Sequence, residues 1–558
     1  MSQATEAIRE ARDLLLSARG DADRAAREFV WPAITGRFNW AIDWFDAIGR
    51  DRDTVALWIR EEDGTDSKYS YGELVDRSDA AAVWLKSLGL GRGDMVMLML
   101  GNQVELWVSM LAVMKIGAVI LPTTEALPTA DLADRIERGA VRAVIANPHD
   151  LAKFDPIPGD YVRITTGPAT GEWLGFADAA TVAPEPQDVL TDVADPVIAY
   201  FTSGTTKEPK LVIHNQLSYP VGHLSTMYFI GVRPGDVHLN ISSPGWGKHS
   251  WSSFFSPWLA EATIFVYNYR RFDAADLLRQ LETANIACFC APPTVWRMMI
   301  LANLGERPRG LREIVGAGEP LNPEVINRVR DAWDLTIRDG YGQTETTCTV
   351  GNAPGEAVKP GSMGRVMPGV PLVVRDPDTG RPDSQGEICL AVEPWPYNLM
   401  TSYADPELTA TMIRGGYYHT GDLVTVDEDG YLTYVGRTDD VFKASDYKVS
   451  PFELESVLME HPAVAEAAIV PSPDPVRLAV PKAYVQLAPG FAPTRETALA
   501  ILRHAKENLA PYLRVRRLEF SELPKTISGK IRRVVLRVQE DGADEYRYEE
   551  FPELATRR

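Results

Sequence analysis

Short apolar runs alternate with helix-length runs along most of this chain, and that alternation is the tightest constraint on its fold. Residues 54–59 and 95–100 read as strands, and residues 71–88 and 104–115 read as helices. The scheme repeats with strands at 262–267 and 286–290 and helices at 274–283 and 293–304. Mostly apolar short strands separated by helices predict an α/β architecture built on parallel sheets. Ahead of it, residues 1 to about 30 read as one amphipathic helix. From Gly364 the pattern shifts to short runs broken by Gly, Pro and Asp, predicting a smaller β-rich subdomain.

Beyond Gly436 the chain starts a second unit. Ser450-Pro451-Phe452-Glu453 reads as a capping box with proline at the first helical position, launching a helix that ends near His461. A strand at 464–470, a Pro-rich turn, a strand at 483–487, a helix at 496–509 and a strand at 515–520 complete it. The expected domains are therefore 1–436, a large α/β domain, and 437–558, a small α+β domain.

Composition narrows the partners. A net charge of −20 over 558 residues argues against nucleic acid or an anionic membrane as the main partner. Cys288, Cys290, Cys348 and Cys389 are few for the length and lack zinc-ligand pairing, so buried thiols are expected. Glu6, Glu10 and Asp13 stand among the first apolar residues, where a secretory or transit signal would carry none, and the expected location is cytoplasmic. The most membrane-like stretch, 95–122, is interrupted by Asn102, Gln103, Glu105 and Lys115, which predicts a core helix and strand and no membrane span.

The loop Thr202-Ser203-Gly204-Thr205-Thr206-Lys207-Glu208-Pro209-Lys210 concentrates hydroxyls, one glycine and a terminal lysine between two apolar, β-prone runs. Hydroxyls and backbone N–H groups can donate to phosphate oxygens, Gly204 permits close approach and Lys210 adds a point charge. By composition alone the loop fits a phosphate cradle or a solvated Ser/Thr turn equally. The Walker A spacing G-x-x-x-x-G-K-[ST] occurs nowhere in the chain. Further polar clusters follow in order: Gly316-Ala317-Gly318-Glu319-Pro320, then Asp339-Gly340-Tyr341-Gly342-Gln343-Thr344-Glu345-Thr346. After these come Tyr417-Tyr418-His419-Thr420-Gly421-Asp422, Gly436-Arg437-Thr438-Asp439-Asp440 and Pro524-Lys525-Thr526-Ile527-Ser528-Gly529-Lys530.

This ordered set resembles the adenylate-forming superfamily of acyl-CoA synthetases, non-ribosomal peptide adenylation domains and luciferases, and is most similar to its short- and medium-chain acyl-CoA synthetases. The resemblance covers nearly the whole chain. It implies ATP, Mg²⁺ and coenzyme A as co-reactants of a small carboxylic acid: attack of the carboxylate on the α-phosphate gives an acyl adenylate, and the thiol then displaces AMP.

By that resemblance Thr202, Ser203, Gly204, Thr205, Thr206 and Lys210 grip the β- and γ-phosphates. Tyr341 stacks on adenine with Gly318, Glu319 and Pro320 across the base, and Asp339 and Gln343 join the nucleotide site. Thr344 meets the α-phosphate, Glu345 holds Mg²⁺, and Asp422 with Arg437 reads the ribose. Lys530 is the implied catalytic lysine, delivered by a mobile small domain that turns at the hinge Asp439. The same rotation would present Ala444, Ser445, Asp446 and Tyr447 to coenzyme A.

Two positions depart from the family pattern: Lys207 and Asp446 stand where glycine is usual. A third bears on the acid. Acetate-restricted relatives place tryptophan at the position of Gly342, so this chain is expected to take an acid larger than acetate: medium-chain, branched or aromatic. Trp246 and His249 are expected on the pocket wall, and Lys248 could pair with a substrate carboxylate or a surface acid. A stand-alone adenylating enzyme that loads a carrier protein is the alternative reading.

Overall fold

The computed structural model describes residues 2–202, 209–319, 321–444, 447–474, 478–525, 531–538 and 545–554. Among these, the alternation read from the sequence resolves into two large sheets. The nine-stranded sheet has a parallel centre of Val55–Arg60, Thr263–Tyr267, Val237–Asn240, Cys288–Ala291, Glu313–Ala317 and Arg338–Tyr341. Antiparallel strands Asp66–Ser70, Val350–Gly351 and Arg365–Val366 finish its edges.

The eight-stranded sheet is parallel from Leu174–Gly175 through Val162–Thr165, Val141–Ala146, Met95–Met99 and Val119–Pro122 to Pro196–Thr202. Lys210–Asn215 and Ser402–Tyr403 close it antiparallel. Helices between the strands form where the pattern and caps agree. Tyr71–Ser87 opens on a complete capping box of Ser70 and Glu73, and Val104–Lys115 is apolar nearly all round because it lies in the core. The stretch at 95–122 is thus core strand and helix, as expected, and no described helix is long and apolar enough to cross a membrane.

The shift of pattern after Gly364 corresponds to an antiparallel sheet of Leu372–Arg375, Gln385–Ala391, Ile413–Arg414, Tyr417–Val426 and Leu432–Arg437. Next in the chain comes the small α+β domain, in which the described residues form a two-stranded hairpin, a four-stranded sheet and a separate buried cluster running from Ala444 to Leu554. The four cysteines are free and buried.

Three local expectations are corrected. The single N-terminal helix is two, Gln3–Ser17 and Ala22–Glu28, because the Asp21 side chain accepts from the Arg24 N–H and starts a new helix. The Pro-rich turn is mostly strand: Val464–Asp474 pairs with Leu478–Leu487, with Pro471 facing Pro481. Val464–Asp474 is an edge strand, where a missing N–H costs no ladder bond on the open side. The box at Ser450 is half present. Its hydroxyl accepts from the Glu453 N–H (3.3 Å) and donates to the Val435 carbonyl, so it ties the helix Pro451–Met459 to the strand Leu432–Arg437.

Candidate active site

Parallel strands of an open α/β sheet present ligands to the loops at their carboxyl ends. Here those loops hold the polar clusters singled out by sequence: Trp246 and Lys248 beyond Val237–Asn240, Gly318 and Glu319 beyond Glu313–Ala317, and Gln343 to Glu345 beyond Arg338–Tyr341. Burial changes abruptly inside the last of them. Residues 341–345 are half-buried and the five after them are buried, so the polar side chains stand at an opening whose floor is core.

Asp422 is the centre of one network. It is buried on the strand Tyr417–Val426, and its Oδ2 accepts from the Tyr341 hydroxyl and from Gln343 Nε2, both at 2.6 Å. Tyr434 Oη and Arg437 Nη1 reach Oδ1 at 3.4 Å. Gln343 is fixed from both ends, its Nε2 also donating to the Thr420 carbonyl (2.9 Å) and its Oε1 accepting from Tyr418 (2.7 Å). Burial and the Asp422 charge raise the Tyr341 phenol well above its ordinary range, which keeps it a donor. The turn before Asp422 is pinned in turn, because Glu387 accepts from the Gly421 N–H (2.8 Å) and from His419 Nδ1 (2.9 Å). Removing the Asp422 carboxylate would leave several buried donors unpaired. Asp422→Ala is expected to destabilise by about 2–4 kcal/mol, read as a lower denaturation midpoint, and Asp422→Asn, which keeps an acceptor, by clearly less.

A second constellation joins the opening loop to Glu345. Thr202 and Lys210 are register partners at the mouth of the hairpin Pro196–Thr202 and Lys210–Asn215, so the loop does connect two strands, while Ser203, Gly204, Thr205, Thr206 and Lys207 lie outside the described residues. Tyr403, register partner of Val212, donates to Glu345 Oε1 at 2.8 Å, and the Lys210 ammonium lies 5.7 Å from the centre of its ring. Tyr403 was not singled out by sequence. It acts only because Ser402–Tyr403 pairs with a strand almost two hundred residues earlier, a contact that no local pattern announces. His214, also unforeseen, holds the Thr344 carbonyl through Nε2 at 2.8 Å. Burial pushes its pKa down to about 4, so it does so as a neutral ring with Nδ1 turned to Ser218 Oγ at 3.2 Å.

The wall opposite is the short helix Gly247–Ser250 and the residues flanking it. A methyl placed on Gly247 would lie 3.8 Å from Thr344 Oγ1, so this segment and the 341–345 loop are direct neighbours. Gly342 admits no side chain: a Cβ there would sit 2.3 Å from Trp251 Cη2 and 2.4 Å from the Thr347 carbonyl. Glycine at 342 therefore makes room for Trp251, which brings its own indole into that volume. Trp246 is half-buried, and His249 is buried with Nε2 3.1 Å from Asn102 Oδ1 and its ring against Trp107.

On the sheet side, Gly318 adopts φ +108, a conformation costly for other residues, with open space where a Cβ would stand. Glu319 turns to Arg297 (3.7 Å) and Thr294 (3.5 Å), and Pro320 lies outside the described residues. Burial pushes the Asp339 carboxyl up to about 7, against the Gly340 N–H it accepts at 2.9 Å.

Where the strand Leu432–Arg437 gives way to the small domain, Arg437 Nε reaches Asp439 Oδ1 at 3.5 Å, and Asp440 is taken by Arg533 (3.7 Å) and Arg537 (2.6 Å). Ala444, buried, pairs with Tyr447 across a hairpin whose tip, Ser445 and Asp446, lies outside the described residues. Lys530 does as well, but the segment before and after it is closed by a bridge between Lys525 and Ile531.

A large α/β domain with nucleotide-suited loops at its strand ends, followed by a small α+β domain, is the plan of an adenylate-forming enzyme. Family models agree: that of AMP-binding enzymes matches residues 44–403 and that of the AMP-binding enzyme C-terminal domain matches residues 453–530. The 4-hydroxybutyrate–CoA ligase 1 of Metallosphaera sedula is 44% identical over 518 residues, covering 90% of this chain and 91% of that protein. The human mitochondrial acyl-coenzyme A synthetase ACSM4 is 38% identical over 525 residues, covering 90% of each. The solved anthranilate CoA ligase AuaEII, in complex with anthranoyl-AMP, superposes with a TM-score of 0.80 at 26% identity over 90% of this chain and 96% of that one. The chain belongs to the family of AMP-binding enzymes. Its activity is that of an AMP-forming acyl-CoA ligase.

Proposed function

We propose that the cleft between the 341–345 loop and the helix Gly247–Ser250 joins ATP to a short- or medium-chain carboxylic acid larger than acetate, and that coenzyme A takes the acyl group. The observation that carries this reading is the Asp422 network, where one buried carboxylate gathers Tyr341, Gln343 and Arg437 around a single acceptor. A diol seated there would meet an acceptor suited to two hydroxyls, beside an aromatic face. The size of the acid is supported by the relatives, one of which is named for 4-hydroxybutyrate.

Each half-reaction has its own residues on this reading. Thr202, Lys210 and the loop between them neutralise the leaving pyrophosphate, and Thr344 donates to the α-phosphate as charge builds on it. His214 keeps the backbone carrying Thr344 in place. Glu345 fits a hard divalent cation: Tyr403 engages Oε1, leaving Oε2 for Mg²⁺, which would supply charge neutralisation to the phosphates. Lys530 bridges the two reacting anions in the first step. The small domain, taken as 437–558, then turns about Asp439 to bring the Ala444 to Tyr447 hairpin to the thiol. The break between buried clusters, one ending with Leu432 and packed Tyr434 and the next starting at Ala444, supports that boundary.

The test is AMP release from ATP with a panel of acids, with and without coenzyme A. Multiple turnovers are expected only with coenzyme A present. AMP that stays stoichiometric with enzyme despite coenzyme A would favour the carrier-loading alternative instead.

A further inference from the structure

Lys248 carries a charge that the mechanism above leaves unused. Its Nζ is fully buried and has no hydrogen-bonding partner among the described residues, although the helix that bears it, Gly247–Ser250, abuts Thr344. An ammonium withdrawn from water without a partner costs several kcal/mol, so a fold that keeps one supplies its partner from elsewhere or holds it for a ligand. Apart from burial, the Cys290 thiol acts on it most, followed by the carboxyl groups of Glu319 and Asp339. Neither carboxyl is dedicated to it. Glu319 faces Arg297 and Thr294, and Asp339 accepts from its neighbouring N–H.

The position of Lys248 separates it from the reacting centre. Glu345 and Lys210 mark the phosphate end of the cleft, joined through Tyr403, whereas the groups that act on Lys248 come from the strands Cys288–Ala291 and Arg338–Tyr341 and from Glu319 after Glu313–Ala317. An acid whose carboxylate lies by Thr344 would run its chain along the Gly247–Ser250 wall and away from Glu345. The indole of Trp251, filling the volume over Gly342, bars the other direction.

We propose that Lys248 is a specificity residue that binds a hydroxyl at the far end of the acyl chain, so that this ligase selects short ω-hydroxy acids over their unsubstituted counterparts. The inference rests on the acyl-CoA ligase reading and adds the substrate class to it. A hydroxyl suits the surroundings better than a second carboxylate: it accepts from Lys248 and can donate to an acidic neighbour, whereas a dianion would place a third acid beside Glu319 and Asp339. A methyl in the same place leaves the ammonium unpaired, which is the arrangement that discriminates most strongly between analogues.

The experiment compares kcat/KM for 4-hydroxybutyrate, for pentanoate, which replaces the hydroxyl by a methyl, and for succinate, using full-length enzyme, ATP, Mg²⁺ and coenzyme A. Wild type is expected to favour 4-hydroxybutyrate over pentanoate by at least about a hundredfold and over succinate by about tenfold or more. In Lys248→Met the preference over pentanoate is expected to collapse by about thirtyfold or more, through a higher KM for the hydroxy acid and a lower KM for pentanoate, whose methyl no longer strands an ammonium. Lys248→Gln, which retains a donor, should keep much of the preference. Equal use of pentanoate and 4-hydroxybutyrate by wild type, a preference for succinate, or an unchanged ratio in Lys248→Met would each overturn the proposal. The wild-type ratio decides even if the methionine variant does not fold. Turnover of pentanoate alone would remove the role of Lys248 and leave the ligase reading standing, whereas no AMP from any acid would remove the ligase reading itself.

Discussion

Lys530→Ala is expected to lose acyl-adenylate formation by about 10²- to 10³-fold, the usual cost of removing one preorganised group from a site of developing charge. Thioester formation from a supplied acyl adenylate should stay close to wild type. The split follows from the proposed division of labour, in which the lysine is needed while two anions are brought together and is withdrawn before the thiol attacks. The described residues on either side of Lys530 are tied together. Lys525 and Ile531 form a bridge, the Arg532 N–H donates to the Pro524 carbonyl at 2.8 Å, and Arg533 pairs with buried Glu455 at 2.6 Å. Arg533 is thus part of the domain rather than of a solvated basic tail. Pyrophosphate exchange measures the first half-reaction and thioester yield from synthetic adenylate the second. Equal loss of both would sink the alternation.

Acid is the second large lever. His214 and His238 are pushed by burial down to about 4, His249 to about 3, and His223 well below its ordinary value, so all four are neutral in the folded protein. Unfolded, they would take up protons near pH 6.5. Their contribution is therefore complete above that pH and is lost as pH falls towards 4. Asp46 and Asp339 work in the opposite sense. Burial raises them to about 6 and about 7, so what they contribute is present in acid and lost as pH rises through those values. The histidines are more numerous, and each tenfold difference in proton affinity between the folded and unfolded chain carries about 1.4 kcal/mol. A net loss on the order of 5 kcal/mol is expected between about pH 6.5 and 4. Denaturant midpoints measured from neutral pH downward check it; stability that is flat or rises on acidification would contradict the sign.

The sequence reading succeeded where information is local. Periodicity located the strands Val55–Arg60, Met95–Met99, Thr263–Tyr267 and Cys288–Ala291 and the helices Tyr71–Ser87, Val104–Lys115, Ala274–Thr283 and Pro293–Leu301, because an apolar run of the right length buries itself in only a few ways. Tyr341, Gln343 and Asp422 were legible as polar residues too dense for their surroundings. The same strand alternation that buries Thr420 and Asp422 also turns Tyr418 toward Gln343, which a period of two could have suggested. What was missed depends on partners distant in the chain. Tyr403 acquires its role from sheet pairing, the space over Gly342 is taken by a residue that lies ninety positions earlier, and the isolation of the Lys248 ammonium is visible only when its neighbours are seen bonded elsewhere. Pro471 sits on the edge strand Val464–Asp474 and Pro481 on the inner strand Leu478–Leu487, just ahead of the residues that pair with Arg517–Phe520, and local composition announces neither placement.

Two consecutive aspartates acquire a different meaning once their partners are compared. Asp439 extends its carboxylate to Arg437, which is also bound to Asp422, whereas Asp440 extends its own to Arg533 and Arg537. Electrostatic allegiance therefore passes from one body to the other across a single peptide unit. On the proposed rotation, the ion pairs on either side travel intact with their own domains, and the contacts that have to part among the described residues include the hydroxyl of Ser450 on the Val435 carbonyl, the ring of Phe452 against Tyr434 and Arg297 on the Met459 sulfur. Such a fulcrum would leave the pairs within each body unchanged by the rotation, so that the bound nucleotide would choose between the two postures.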